Sequence, residues 1–214
     1  MIRCESLRFA YAGAAVLDGF DLEVGDGEHV AVLGRSGEGK TTLLRLIAGL
    51  EAPAAGRILL DGEVASGDGR MTAPHLRSVG YAFQEPALWP HVSVAGHLTF
   101  GMGRRARAES LAWRSALLDG FGLTDLADRV PGELSGGQQH RVGLARAFAR
   151  RPKRLLLDEP LVHLDAEARE ELARVTLRFA AELGASVVWV THHEDEARLA
   201  AARVVRLEHG RCVE

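Results

Sequence analysis

The residues best suited to chemistry lie in Gly34-Arg35-Ser36-Gly37-Glu38-Gly39-Lys40-Thr41. This stretch follows the apolar run Val30-Ala31-Val32-Leu33 and opens a segment bearing Leu43, Leu44, Leu46, Ile47 and Leu50, so it reads as strand, glycine loop and buried helix. Glycines at 34, 37 and 39 let the backbone turn with successive N–H groups pointing inward, a nest for anionic oxygens at the positive end of the next helix. In such a loop Lys40 reaches the outer phosphates and the Thr41 hydroxyl ligates Mg²⁺. Glu38 adds negative charge beside the nest, and relief of that repulsion predicts that its carboxylate points outward to solvent.

Further candidates converge on the same chemistry. Arg154-Leu155-Leu156-Leu157-Asp158-Glu159-Pro160 reads as a fully buried parallel strand that carries two acids to its carboxyl end, the edge where doubly wound sheets gather ligands. Asp158 is positioned like a carboxylate that holds Mg²⁺ and Glu159 like one that polarises an attacking water; two acids merely terminating a strand is the plainer alternative. The strand Ala185 to Val190 delivers Thr191-His192-His193 to that edge. A histidine after a strand is commonly a surface or capping group, but here a glycine loop and two acids meet it. In Leu134-Ser135-Gly136-Gly137-Gln138-Gln139-His140-Arg141, Ser135 is a natural N-cap, and the exposed start of its helix is a second anion site. By composition alone, a capped helix is sufficient explanation for it.

The positioning elements follow from pattern. Ile2 to Val32 predicts short strands, Ile2 to Phe9 first, and Asp61-Gly62 predicts a hairpin, giving an antiparallel sheet beside the ligand. Tyr11 falls in the first loop, either as an aromatic stacking on an adenine ring or as a partly buried strand-end tyrosine. Val79 to Phe83 predicts a strand ending at Gln84, and Pro86 and Pro90 keep Glu85 to His91 non-helical, leaving Leu88 and Trp89 as a contact surface. Helical signals fill Ser93 to Arg150, the candidate inserted subdomain; its basic run Arg104-Arg105-Ala106-Arg107 is read as a solvated face. Asp165 caps a helix with Ala168, Leu172, Val175, Phe179 and Leu183 on one face, ended by Gly184. Val204, Val205 and Leu207 lead to a Glu208-His209-Gly210 turn, with no appended domain expected.

At 214 residues the chain suits one α/β core with a small insertion and is too short for two nucleotide-binding domains. A net charge of −3, with both signs interspersed, argues against nucleic acid as a partner. Cys4 and Cys212 are expected to be reduced thiols of an intracellular protein. No window approaches the ~20 apolar residues of a membrane span, so membrane work would need another polypeptide.

The ordered set of glycine loop, Gln84 after a strand, LSGGQ at 134–138, LLLDEP at 155–160, Leu164-Asp165 and Thr191-His192 resembles the ATP-binding subunits of ABC transporters over essentially the whole chain. LSGGQ is the discriminating element. The resemblance implies a single α/β domain over 1–214: a P-loop NTPase with a RecA-like parallel core, an antiparallel β subdomain and a helical subdomain inserted at about 87–150. It implies ATP and Mg²⁺ as cofactors, with Tyr11, Gly34, Arg35, Ser36, Gly37, Glu38, Gly39, Lys40, Thr41 and Thr42 binding ATP. Thr41, Gln84 and Asp158 would hold Mg²⁺; Glu159, His192 and Gln84 would serve catalysis, and Asp165 would be the D-loop aspartate. Leu134, Ser135, Gly136, Gly137 and Gln138 would act in trans on ATP bound by a second copy, in a homodimer. Glu85 to His91 would meet permease subunits on the cytoplasmic face of the membrane, a substrate-binding protein acting indirectly. Small-molecule or ion import is the implied role, with mechanical work in an envelope or nucleic-acid complex as the alternative. Glu38, Val162-His163 and the unassigned His193 depart from the family pattern, which bears on fine geometry and rate.

Overall fold

The computed structural model describes residues 1–102, 107–162 and 164–213. Residues 104–106 of the basic run, and His163, lie outside that set. Strands β1 (Ile2–Tyr11) and β2 (Ala14–Val24) form a long hairpin turned by Ala12 and Gly13, with φ of 47° and 86°. Tyr11 is thus the last residue of a strand, not a loop residue. The expected alternation is broken where the register slips between Cys4 and Leu7 and between Phe9 and Ala10. A bulge re-aims the side chains without ending the pairing, so the strand runs past Phe9. β4 (Ala55–Leu60) and β5 (Glu63–Gly67) join through Asp61-Gly62, with φ of 54° and 82° as a two-residue hairpin turn requires. With β6 (Arg70–Met71) they complete a five-stranded antiparallel sheet in the order β2-β1-β4-β5-β6.

The second sheet runs β11-β10-β3-β9-β8-β7, built from β3 (His29–Leu33), β7 (Val79–Ala82), β8 (Arg154–Asp158), β9 (Ser186–Thr191), β10 (Arg203–Glu208) and β11 (Arg211–Val213). Every pairing is parallel except β10 with β11. The apolar residues of its central strands divide by parity between two cores. Val30, Val32, Leu156, Val188 and Val190 face α1 (Lys40–Ala48) and the antiparallel sheet, whereas Leu155, Leu157, Val187 and Trp189 face the helices. Burial on both faces is why β8 and β9 are written as continuous apolar runs, each such side chain stabilising the fold by about 1.5–3 kcal/mol.

The helical region comprises α2 (Val94–Met102), α3 (Arg107–Gly120) and α4 (Gly136–Phe148). It packs with α5 (Ala166–Leu183) around Trp113, Phe121, Phe148 and Phe179, whose rings meet at 5.5–5.9 Å. α6 (Glu194–Ala200) closes the far side of β3 and β9. Arg77 ties the halves together from inside: its buried guanidinium donates to Leu46 O and Ile47 O in the last turn of α1, to Ala65 O and Ser66 Oγ of β5, and to Thr72 O. A cation on those carbonyls complements the negative end of the α1 dipole.

Candidate active site

Because β3, β8 and β9 are parallel neighbours, their carboxyl ends deliver the glycine loop, the two acids and His192 to one edge. Gly37 and Gly39 adopt φ of 87° and 101°. A Cβ on Gly39 would come within 2.8 Å of Val16 Cγ1, so β2 can approach the loop only because the residue is glycine. Lys40 opens α1 at 5% exposure and folds back to donate to Gly34 O at 2.8 Å and Arg35 O at 3.0 Å. Its ammonium is also 3.7 Å from Glu159 Oε1. Burial lowers its pKa, opposed chiefly by the negative charges of Glu159 and Asp158.

Asp158 is buried at the end of β8 and accepts from Thr41 Oγ1 at 3.1 Å and from the Tyr81 hydroxyl at 3.2 Å. Burial raises its pKa while the two hydroxyls hold it down. Burial and the adjacent carboxylate push the Tyr81 phenol up, which keeps it a neutral donor. One hydroxyl and one carboxylate, both hard oxygen donors, fit Mg²⁺ with its remaining positions filled by phosphate and water. No cluster of three acidic, histidine or cysteine ligands occurs among the described residues, so an all-protein metal cage is not what this edge offers.

Glu159 sits at φ 45° with its amide donating to Val190 O at 3.0 Å, which locks the residue after β8 against β9. Its carboxylate is the meeting point of the edge: His192 Nδ1 lies 3.2 Å from Oε1 and Gln84 Nε2 donates to Oε2 at 3.4 Å. A cleft of about 420 Å³ runs beside it, lined by Tyr11, Val16, Ser36, Gly37, Gly39, Lys40, Thr41, Thr42, Gln84 and Glu159. Tyr11 is exposed, edge-on to Phe9 with ring centroids 4.8 Å apart.

Other predicted residues lie elsewhere. Arg35 and Glu38 line a neighbouring cleft of about 350 Å³, which His192 borders from its place beside Glu159. Glu38 turns outward from the nest, as repulsion requires, and stays half-exposed, with a protein partner as well as solvent: its Oε2 accepts from His209 N at 2.7 Å. Ser135 caps α4 reciprocally, accepting from Gln138 N at 3.3 Å and donating its own amide to Gln138 Oε1 at 2.9 Å. Ser135 and Gly136 are exposed and Leu134 is buried; none of residues 134–138 lines the 420 Å³ cleft among the described residues. Asp165 is exposed and caps α5, accepting from Ala168 N at 2.9 Å.

Two supporting residues escaped the sequence reading. Tyr81 acts only through the β7–β8 pairing, which no local pattern discloses. Glu196 is 2% exposed and accepts from Trp189 Nε1 at 2.7 Å and Thr191 Oγ1 at 2.9 Å; Thr191 Oγ1 in turn accepts from His193 N at 3.1 Å. It thereby fixes the turn that carries His192. In sequence, an acid in the first turn of a helix is indistinguishable from one placed there for the dipole.

The loop after Gln84 is pinned to the helical region. Arg146 donates to Pro86 O at 2.7 Å and Ala87 O at 2.9 Å, and Trp89 N donates to His97 Nε2 at 2.9 Å. Trp89 is 39% exposed and meets Phe100, 74% exposed, at 4.8 Å between centroids.

The chain is 45% identical over 218 residues to the sulfate/thiosulfate import ATP-binding protein CysA 1 of Chromobacterium violaceum, covering 98% of this chain and 59% of that protein. It is 42% identical over 212 residues to the Fe(3+) ions import ATP-binding protein FbpC of Mesorhizobium japonicum, covering 98% and 58%. The chain therefore spans less than two thirds of the length of these relatives. Among solved structures, a dimeric post-hydrolysis state of the ATP-binding cassette MJ0796 bound to ADP and Pi superimposes with a TM-score of 0.88 at 27% identity, over 100% of this chain and 97% of that one. The cbiO1 protein of Clostridium perfringens, part of the ABC transporter complex cbiONQ, gives 0.86 at 29% identity, over 100% and 86%. The profile of the ABC transporter family matches residues 17–162, more than half of the sequence and the part that holds the glycine loop, residues 134–138 and the strand-end acids; the chain belongs to that family.

Proposed function

We propose that this chain is the ATP-hydrolysing motor subunit of an ABC importer, two copies closing around two ATP molecules to move a small molecule or ion through separate transmembrane subunits. The observation that carries this reading is the convergence on Glu159 of Lys40 Nζ, His192 Nδ1 and Gln84 Nε2, at 3.7, 3.2 and 3.4 Å, above a glycine nest. The relatives' names, import ATP-binding proteins for sulfate/thiosulfate and for Fe³⁺, support the direction and the ionic class of cargo.

In this proposal the reaction is ATP + H₂O → ADP + phosphate. The backbone amides of 34–40 and Lys40 hold the outer phosphates, and Tyr11 stacks on the adenine. Glu159, released from Lys40 when phosphate oxygens take the ammonium, orients the attacking water and accepts its proton. His192 donates to the γ-phosphate, and Gln84 reports its presence to the Glu85–His91 loop. Mg²⁺, held by Thr41, Asp158 and Gln84, supplies neutralisation of charge on the phosphate oxygens.

Ser135 and Gly137 stand outside the cleft of their own chain, which suits a site completed by a second copy. ATP favours closure by binding the closed dimer better than the open one, with Asp165 lying at the seam. The Glu85–His91 loop, which carries Trp89 and has Phe100 beside it, is the face offered to the permease, so the subunit works peripherally at the cytoplasmic side of the membrane. No described helix is long and apolar enough to cross it.

Mg²⁺-dependent phosphate release measured beside ATP binding tests the assignment. Lys40→Ala abolishes binding, and Glu159→Gln lowers turnover about 10²–10⁴-fold with binding retained. A Glu159→Gln protein that hydrolyses at the normal rate overturns it.

A further inference from the structure

We infer that Glu38 is a positioning residue for the nucleotide cleft: its carboxylate braces the glycine loop against the β10–β11 turn, and that turn in turn braces β2. The inference rests on the nucleotide reading of the cleft proposed above. Two consecutive residues of the turn face opposite walls. His209 N donates to Glu38 Oε2 at 2.7 Å, while Gly210 O accepts from Asp18 N at 2.9 Å. His209 and Gly210 both hold positive φ, 49° and 75°. A Cβ on Gly210 would lie 2.7 Å from Val16 O and 3.0 Å from Asp18 N, so the turn is pressed directly onto β2. Val16 is also the residue that packs against Gly39 and, with Tyr11, forms the wall of the cleft facing Ser36 to Thr42. The turn is therefore a strut between the phosphate loop and the strand opposite, and Glu38 is its attachment to the loop.

The residue has two opposed effects. Its charge is among those that raise the pKa of Lys40, so it is felt at the phosphate-binding ammonium and disfavours a polyanion beside it. Its oxygen, as an acceptor for His209 N–H, holds the loop in place. Glutamine removes the charge and keeps an acceptor of the same reach; alanine removes both. Comparing those two variants isolates the brace, since neither carries the charge.

Hydrogen exchange of the His209 amide in the nucleotide-free chain tests the brace without reference to any ligand. Wild type and Glu38→Gln exchange slowly, and Glu38→Ala exchanges at least about tenfold faster. Equilibrium ATP binding and steady-state kinetics follow on the same proteins. Glu38→Gln binds ATP about 3–10-fold more tightly than Glu38→Ala, the worth of one hydrogen bond. The loss in Glu38→Ala lies in KM, with kcat within about twofold of Glu38→Gln, because the groups around Glu159 are untouched. Unchanged exchange in Glu38→Ala, or ATP affinity in Glu38→Ala equal to or tighter than in Glu38→Gln, overturns the inference. Exchange as expected in a wild-type chain that binds no ATP leaves the brace standing and instead refutes the proposed function.

Discussion

Replacing Glu196 with leucine removes the acceptor of two buried donors, Trp189 Nε1–H and Thr191 Oγ1–H, on residues with no solvent exposure. Each orphaned donor costs about 1–3 kcal/mol, and burying leucine in place of the carboxylate returns about 2 kcal/mol. The net loss is therefore about 2 kcal/mol, read as a lower urea midpoint at unchanged m value. Glu196→Gln keeps one acceptor oxygen and orphans a single donor, so its loss is the smaller, about 1 kcal/mol. The functional effect is larger than the stability effect. Thr191 Oγ1, freed from Glu196, no longer fixes the His193 amide that it accepts at 3.1 Å, and His192 shifts relative to Glu159. A displacement near 1 Å at such a contact costs up to about 10² in turnover. KM for ATP changes little, because the glycine loop is not involved. A Glu196→Leu protein as stable as wild type, or one with unaltered turnover, refutes the reasoning.

His97 is fully buried, with Nδ1 bonded to Ser93 O at 2.9 Å and Nε2 accepting from Trp89 N at 2.9 Å, an arrangement only the neutral ring can make. Burial, opposed by the hydrogen bond to the Ser93 carbonyl and aided by the nearby Arg146 and His91, sets its folded pKa below the ordinary value. The unfolded chain therefore takes up the proton first: stability is present above about pH 6.5 and is lost as pH falls below it, by at most about 1.4 kcal/mol per pH unit. His97→Gln has a flatter acid limb than wild type between about pH 5 and 6.5, while His29, lowered by burial, and the buried carboxyls of Asp158 and Glu196, raised by burial, contribute equally to both proteins; identical slopes in urea titrations would contradict the assignment. Arg77→Met strips donors from Leu46 O and Ile47 O at the end of α1 and is expected to cost about 1–3 kcal/mol for each acceptor left unpaired, with Arg77→Lys restoring only part because an ammonium lacks the planar fork. A loss in Arg77→Met below about 1 kcal/mol would mean that water replaces the guanidinium.

Local chemistry made much of the architecture legible. The glycine spacing before Lys40, the leucine run ending in Asp158 and Glu159, and the caps Ser135, Asp165 and Gly184 each act within a turn or two of themselves, and each sits at the predicted kind of element boundary. What escaped depends on which distant segments become neighbours. Tyr81 reaches Asp158 only because β7 lies beside β8. The destination of Glu38 is a turn 171 residues away, so repulsion indicated only the direction it avoids. Pattern alone puts Tyr11 in a loop because bulges in β1 interrupt the alternation by which strands are recognised, although the ladder continues to the Tyr11–Ala14 pair. Arg77, in sequence an unremarkable base before a strand, is buried because α1 ends against it.

In the proposed function, the ATP site is completed by a second copy of this chain. The most direct test of that completion is the mass of the Glu159→Gln protein in solution, measured by sedimentation with and without Mg-ATP. A monomer that becomes a dimer with ATP is expected, and a Ser135→Arg, Glu159→Gln double variant that binds ATP yet stays monomeric. A Glu159→Gln protein that binds ATP and remains monomeric at every concentration, or a double variant that dimerises as well as the single one, would contradict it.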